Sequence, residues 1–255
     1  MKIMMLAGDK SSSHLVYQKI NKTFPISKVV MEDGLSKKGM LKRRRKRLGL
    51  RTVVGQVLFQ LFCLPFLKRE AQGRIQQIIR KEDMDAAKIP ASELQRVGSI
   101  NDEETIAAIQ LETPDLILVC GTRIISQQVL EATEAPFVNI HAGITPYYRG
   151  SHGGYWALVK KDKRNCGVTL HYIDTGIDTG SIIAQAKISV TPKDNFVTYP
   201  YLQLAKGIQL LERFLSENKM ETITPKIADK DRKGEVFYHP TLFQYLKFRK
   251  QLKVK

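Results

Sequence analysis

A chain of 255 residues, 43% of them hydrophobic, can bury one substantial core and is too apolar for a disordered or fibrous class. Its net charge of +16 invites a nucleic-acid reading, yet nine Lys or Arg fall between Lys37 and Arg51 and five more in residues 236–255, with no acid in either stretch. The basicity therefore belongs to two patches, and the rest of the body is near neutral, as in an ordinary globular enzyme that does not bind nucleic acid.

Residues 2–7 form a short apolar run ending at Gly8, too short for a signal-peptide core, and read as a first strand. Leu15, Ile20 and Phe24 then recur along a helix. The turn between them, Gly8 to Ser13, brings hydroxyls, a lysine and backbone N–H groups to a helix N-terminus. There Lys10, Ser11, Ser12 and Ser13 either seat a substrate phosphate or simply cap the helix. Residues 26–31 read as a second strand.

The next segment is the oddest. A basic cluster precedes an apolar run over 53–67, fifteen residues containing Gln56 and Gln60, with Pro65 near its end. A bilayer-spanning helix needs about twenty residues. The two glutamines share one helical face and leave Val57, Leu58, Leu61 and Leu64 for the other, so an amphipathic or largely buried helix is expected. This insert, about 36–90, either packs on its own domain or makes peripheral contact with a membrane or a subunit through residues 37–67. Residues 70–81 read as a separate helix.

The strand and helix alternation then resumes. Residues 97–101 end a short strand, Asp102 can cap a helix through Leu111, and 116–120 is the continuous apolar run of a strand buried on both faces. It ends at Gly121, where ligand loops of open α/β sheets lie. A short helix over 126–130 leads to a strand over 137–141, in which Asn139 and His141 leave the same face. Residues 167–173 and 181–190 alternate as two strands of a hairpin-like return, and a helix spans about 195–217. Trp156 is expected in the core, and His171, inside a strand, is expected to be structural. The remainder reads as irregular and basic. Alternating strands and helices imply an α/β fold with a doubly wound, mostly parallel sheet. The three cysteines, Cys63, Cys120 and Cys166, lack both zinc spacing and an even disulfide framework, which favours free thiols and the cytoplasm.

The run NIHAGITPYYRG from Asn139, followed by HYIDTGIDTGSII, resembles the 10-formyltetrahydrofolate-dependent formyltransferases, whose catalytic domain carries an Asn-x-His motif and a later Asp-x-Gly loop. The resemblance implies a Rossmann-like catalytic domain over 1–217, carrying the insert, and a basic C-terminal extension over 218–255. It implies a catalytic set of Asn139, His141 and Asp178, with no metal. It also implies a pocket for 10-formyltetrahydrofolate built from Gly121, Arg123, Ile124, Ile125, Ile173, Asp174 and Ile177. Arg149 and His152 are candidates for the acceptor side. Family members acting on initiator methionyl-tRNA carry a second, barrel-like domain, for which the 38 residues after the long helix leave no room. The glycinamide ribonucleotide enzymes generally show a glycine-rich phosphate turn where this chain has Asp9 to Ser13, and they lack the insert. The branch acting on nucleotide-linked amino deoxysugars for surface glycans fits best, a pseudaminic-acid-type pathway being one candidate. A reading from a different class is a basic membrane- or nucleic-acid-binding protein with a vestigial site. The acceptor and the oligomeric state are not legible in the sequence.

Overall fold

The computed structural model describes residues 1–34, 37–217 and 234–255. In chain order the first half contains β1 (Ile3–Gly8), α1 (Ser11–Asn21), β2 (Ile26–Glu32), α2 (Lys37–Leu48), α3 (Leu50–Leu58), a π-helical turn (Phe59–Cys63) and α4 (Leu64–Lys81). Next come β3 (Leu94–Val97), α5 (Glu103–Glu112), β4 (Leu116–Cys120), α6 (Gln127–Leu130) and β5 (Phe137–His141). The remainder comprises β6 (Tyr148–Gly150), α7 (Gly153–Val159), β7 (Gly167–Tyr172), β8 (Ile182–Lys187), α8 (Tyr199–Ser216), β9 (Glu235–Phe237) and α9 (Leu242–Leu252).

Seven strands form one sheet in the order β3-β2-β1-β4-β5-β7-β8, parallel from β3 to β5 and antiparallel for the last two pairings. The apolar runs of β1 and β4 are buried along their whole length, because helices cover both faces of the sheet. Leu15 and Ile20 of α1 and Ile208 and Leu211 of α8 pack on one face, and Ile109 of α5 and Val129 of α6 on the other. This is the doubly wound, mostly parallel architecture expected. Chain order reverses between β1 and β4, and ligands of such sheets bind outside the carboxyl ends of the strands.

Three expectations change. The segments at 53–67 and 70–81 are a single rod from Leu50 to Lys81, with the π turn immediately before Pro65. A proline removes one N–H and crowds the preceding turn, and a π turn absorbs such a defect without ending the helix. Burial along that rod also departs from the expected faces. Gln56 is buried and donates to the His239 carbonyl at 2.8 Å, whereas Leu61 and Phe62 are exposed. Gln56 looks inward because it meets a polar backbone there, while Gln60 is half-buried. Finally, the end of the chain is not irregular. β9 pairs in parallel with β6, and α9, opened by a capping box between Thr241 and Gln244, packs on α3 and the π turn. Phe59 is held between the rings of Phe196 and Tyr245, with centroids at 5.1 and 5.0 Å. The described part of the C-terminal extension is therefore built onto the insert. Residues 218–233 lie outside the described residues.

Candidate functional site

The site forms where β5 ends. Val138 is buried toward the core while Asn139 and His141 leave the opposite face together, as a period of two requires. Antiparallel pairing with β7 sets Asn139 opposite His171 and His141 opposite Thr169. Thr169 then shapes the loop beyond β5: its hydroxyl donates to the Gly143 carbonyl at 2.8 Å and accepts from the Thr145 N–H at 3.1 Å. A Cβ on Gly143 would lie 2.2 Å from the Tyr148 carbonyl oxygen and 2.7 Å from His141 Nε2, so only glycine lets this loop fold back over the imidazole.

His141 is 5% exposed, and both of its nitrogens face acceptors. Nε2 donates to the Tyr148 carbonyl at 2.7 Å, and Nδ1 lies 3.3 Å from the Asp178 carboxylate. Burial alone would lower the imidazole's pKa, but the Asp178 hydrogen bond and charge, with the Tyr148 carbonyl, outweigh it and raise the value above the ordinary 6.5. Burial would likewise raise the Asp178 pKa; the bond and charge of His141, the N–H of Gly150 at 2.7 Å and His171 together hold it below the usual carboxylate range. Each partner thus favours the charged form of the other. Asp178 stands at φ +51°, a left-handed conformation that aspartate tolerates better than most side chains.

His171, expected to be structural, belongs to this cluster. Its Nδ1 donates to the Tyr172 carbonyl at 2.7 Å, which makes Nε2 an acceptor for the Asn139 amide nitrogen at 3.2 Å. Burial and the charge of His141 lower its pKa, consistent with a neutral ring. A neutral, fixed His171 thereby decides which end of the Asn139 amide is the donor and leaves its second N–H for a ligand. The antiparallel pairing of β5 with β7 is what produces this contact, and local sequence carries no signal of it.

A cavity of about 250 Å³ opens beside these groups, lined by Asn139, His141 and Asp178 at one end. Gly121, Arg123, Ile124 and Ile125 line one wall, and Ile173, Asp174 and Ile177 another, so all seven expected pocket residues meet there. Arg123 serves mainly as a clamp. Its backbone N–H donates to buried Glu32 at 2.7 Å, its Nε lies 2.5 Å from the same carboxylate, and its guanidinium donates to the carbonyls of Asp33 and Gly98 at 3.2 and 3.1 Å. The arginine thus ties the ends of β2 and β3 to the cavity rim. Glu32, absent from the sequence reading, is its counterpart.

The expected acceptor-side residues divide. Lys10 reaches the rim, where Nζ donates to the Gly121 carbonyl at 2.7 Å, and the first turn of α1 starts beside it with Ser11 and Ser12. Ser13 is fully buried, its hydroxyl 2.7 Å from the Gly8 carbonyl and 3.1 Å from that of Cys120; it fastens the turn and is not available to a phosphate. Arg149 donates to the Gly234 carbonyl at 2.6 Å, closing the β6–β9 junction. His152 stacks on Phe196 at 4.2 Å and lies 3.1 Å from His239 Nε2, outside the cavity lining. Burial, then the charges of His239 and Arg44, depress its pKa well below 6.5, as suits a neutral ring in an aromatic cluster. Trp156 packs on Phe237, as expected of a core residue.

Residues 61–209 match the family model described as formyl transferase. A methionyl-tRNA formyltransferase from Thermodesulfovibrio yellowstonii is 32% identical over 144 residues, which is 56% of this chain and 45% of that protein. The chain thus spans about half the length of such curated relatives or less. Among solved structures, a sugar N-formyltransferase from a Shewanella species superposes with a TM-score of 0.55 at 15% identity, over 93% of this chain and 76% of that one. Phosphoribosylglycinamide formyltransferase from Streptococcus pneumoniae TIGR4 gives 0.55 at 18%, over 86% and 100%. HypX from Aquifex aeolicus in complex with tetrahydrofolic acid gives 0.53 at 17%, over 94% and 29%. At these identities the likeness is one of fold.

Proposed function

Because the chain belongs to the formyl transferase family, we propose that it moves a formyl group from 10-formyltetrahydrofolate to the amino group of a nucleotide-linked amino deoxysugar. The observation that carries formyl transfer is the cluster of Asn139, Asp178 and the buried His141 lining one cavity. The cavity suits a flat heterocyclic donor, since Ile124, Ile125 and Ile173 supply apolar walls and the loops at 121–125 and 173–177 supply backbone groups to its edge. When bound, the donor presents a formyl carbon to the incoming amine. Asn139 offers its uncommitted amide N–H to the oxygen on which charge develops. His141 offers the Nδ1 proton, whose contact with Asp178 is the longer of its two bonds. Asp178 takes the proton that the amine loses, directly or through water, and His141 returns one to the leaving nitrogen, so that charge and protons balance.

The acceptor reading is supported by Lys10, Ser11 and Ser12 at the start of α1, a cationic, hydroxyl-bearing turn at the cavity rim that suits a phosphate. It also draws on the shared fold with a sugar N-formyltransferase. With Cys63, Cys120 and Cys166 all free, we assign the reaction to the reducing cytoplasm. The sequence relatives favour methionyl-tRNA as a second reading. Incubation of the protein and formyl donor with a panel of amino sugar nucleotides, glycinamide ribonucleotide and methionyl-tRNA tests both. A one-formyl mass gain confined to an amino sugar nucleotide is the expected outcome, and a gain on methionyl-tRNA or the ribonucleotide alone would overturn the acceptor assignment.

A further inference from the structure

Twelve large apolar side chains are strongly exposed among the described residues, and eight of them sit on α2, the Leu50–Lys81 rod and α9. Along the rod, Leu50, Val54, Leu61, Phe62 and Phe66 recur at helical spacing on the side away from the core, a stripe about 24 Å long at 1.5 Å per residue. Phe66 is 74% exposed. Leu246 of α9 lines the same hollow as Phe62 and Phe66, and Phe243, 72% exposed, lies one turn before it. Isolated exposed apolar residues need no explanation, but a contiguous set of this size marks an interaction surface.

The cations gather at the same place. Between α2 and α3 runs a groove of about 1120 Å³ in which Leu41, Leu50 and Val54 meet Lys42, Arg43 and Lys46. Arg44 and Arg47 are turned toward the C-terminal segment, Arg47 sitting 5.2 Å above the Tyr238 ring, so they hold α2 in place. Lys247, Arg249 and Lys250 of α9 are exposed as well, and Arg249 lines the hollow with Phe62, Phe66 and Leu246. Two basic patches distant in sequence thus border the same apolar stripe.

We propose that this face docks the protein on the surface of an anionic phospholipid bilayer, with the rod lying in the plane of the interface. The apolar stripe enters the acyl boundary while Lys42, Arg43, Arg45 and Lys46 meet lipid phosphates. By length and composition the rod is also able to cross a membrane, but its other face is committed to the enzyme body. Phe59, Leu67, Ala71 and Ile78 are buried, and Arg74 donates to a fully buried Asp194 side chain at 2.8 Å. A second copy of this chain fits the face poorly, because charges are depleted from the centres of protein interfaces and this surface would oppose cation to cation.

The test is flotation of the full chain with vesicles of phosphatidylglycerol and phosphatidylcholine, beside vesicles of phosphatidylcholine alone. The expected result is binding to the anionic vesicles that weakens with salt. The K42Q/R43Q/R45Q/K46Q variant should partition about 100-fold more weakly, taking roughly fivefold per charge as the upper scale. F62S/F66S should lose the part of the binding that resists salt. Circular dichroism melts verify that both variants remain folded, their side chains being exposed. Equal binding to both vesicle types, retention by the charge variant, or concentration-dependent dimerisation in solution that F62S/F66S abolishes would overturn the proposal. None of these readouts depends on the formyl acceptor.

Discussion

In the cleft at the end of β5, a buried imidazole meets a half-buried carboxylate from the loop after β7, whereas along the Leu50–Lys81 rod phenylalanines stand in solvent above a buried glutamine. Each arrangement departs from ordinary burial, and each costs folding free energy. The compensation differs. His141, Asp178, Asn139 and His171 satisfy one another, so their burial yields a preorganised, water-poor set of donors and acceptors. The exposed stripe has nothing within the described residues to cover it, so its compensation lies in a partner. Stability and activity should therefore respond separately to substitutions in the two regions.

The largest effect is expected in the cleft. His141→Ala should lower formyl transfer by about 10²- to 10⁴-fold and Asn139→Ala by about 10²- to 10³-fold, measured as kcat/KM for the acceptor found in the panel. Both variants should still melt cooperatively. Unchanged kcat/KM in His141→Ala would remove the cleft from the chemistry and dissolve the contrast with the insert.

Proton linkage provides a smaller and more specific effect. A raised folded pKa for His141 means that its contribution to stability is present below 6.5, its ordinary value, and is lost as pH rises through the folded value. The depressed pKa of Asp178 means that its contribution is present above 3.8 and is lost as pH falls through the folded value. The ion pair is intact between those limits. Activity that needs the imidazolium should thus decline on the alkaline side at a pH above 6.5. In Asp178→Asn the alkaline limb should move to lower pH, because the carboxylate that raises the imidazole is gone while its burial remains. A limb that stays where it was would show that another group titrates there.

The cleft was largely legible in the sequence and the insert largely was not, for a physical reason. Asn139 and His141 are two residues apart on a strand, and the glycines that follow announce a loop, so local geometry suffices to aim both at one cavity. The contact of His171 with Asn139 arises from strand pairing across the sheet, and that of Glu32 with Arg123 from a loop 91 residues away, so neither shows in local sequence. On the rod, apolar residues occur all round the helix, which leaves periodicity without a preferred face. The glutamines looked like the wet side. What turned Gln56 inward was the carbonyl of His239, 183 residues away in the chain, and the same distant segment supplied Thr241 against Gly55 and Tyr245 against Phe59. Ser13 and His152 were misplaced for related reasons: a serine at a turn can face backbone or ligand equally well, and His152 found an aromatic cluster that only the tertiary fold assembles.

The contrast can be drawn finest at two adjacent residues. Leu67 is 2% exposed and belongs to the aromatic cluster under the rod, while Phe66, next to it, points to solvent. Leu67→Ala removes buried methyl groups and leaves a cavity, so it should destabilise the fold by about 2–5 kcal/mol in denaturant unfolding. Phe66→Ser touches a side chain that makes little use of the core, and its effect should stay within about 0.5 kcal/mol despite deleting the larger side chain. Serine forms helix less readily than most straight-chain residues, but the difference from phenylalanine is small on that scale. Formyl transfer should be unchanged in Phe66→Ser, since no residue of the rod lines the cavity. A loss of several kcal/mol in Phe66→Ser would mean that this face is already packed against something in solution. The protein should then be heavier than a monomer by light scattering, and a second copy would become the occupant of the surface in place of lipid.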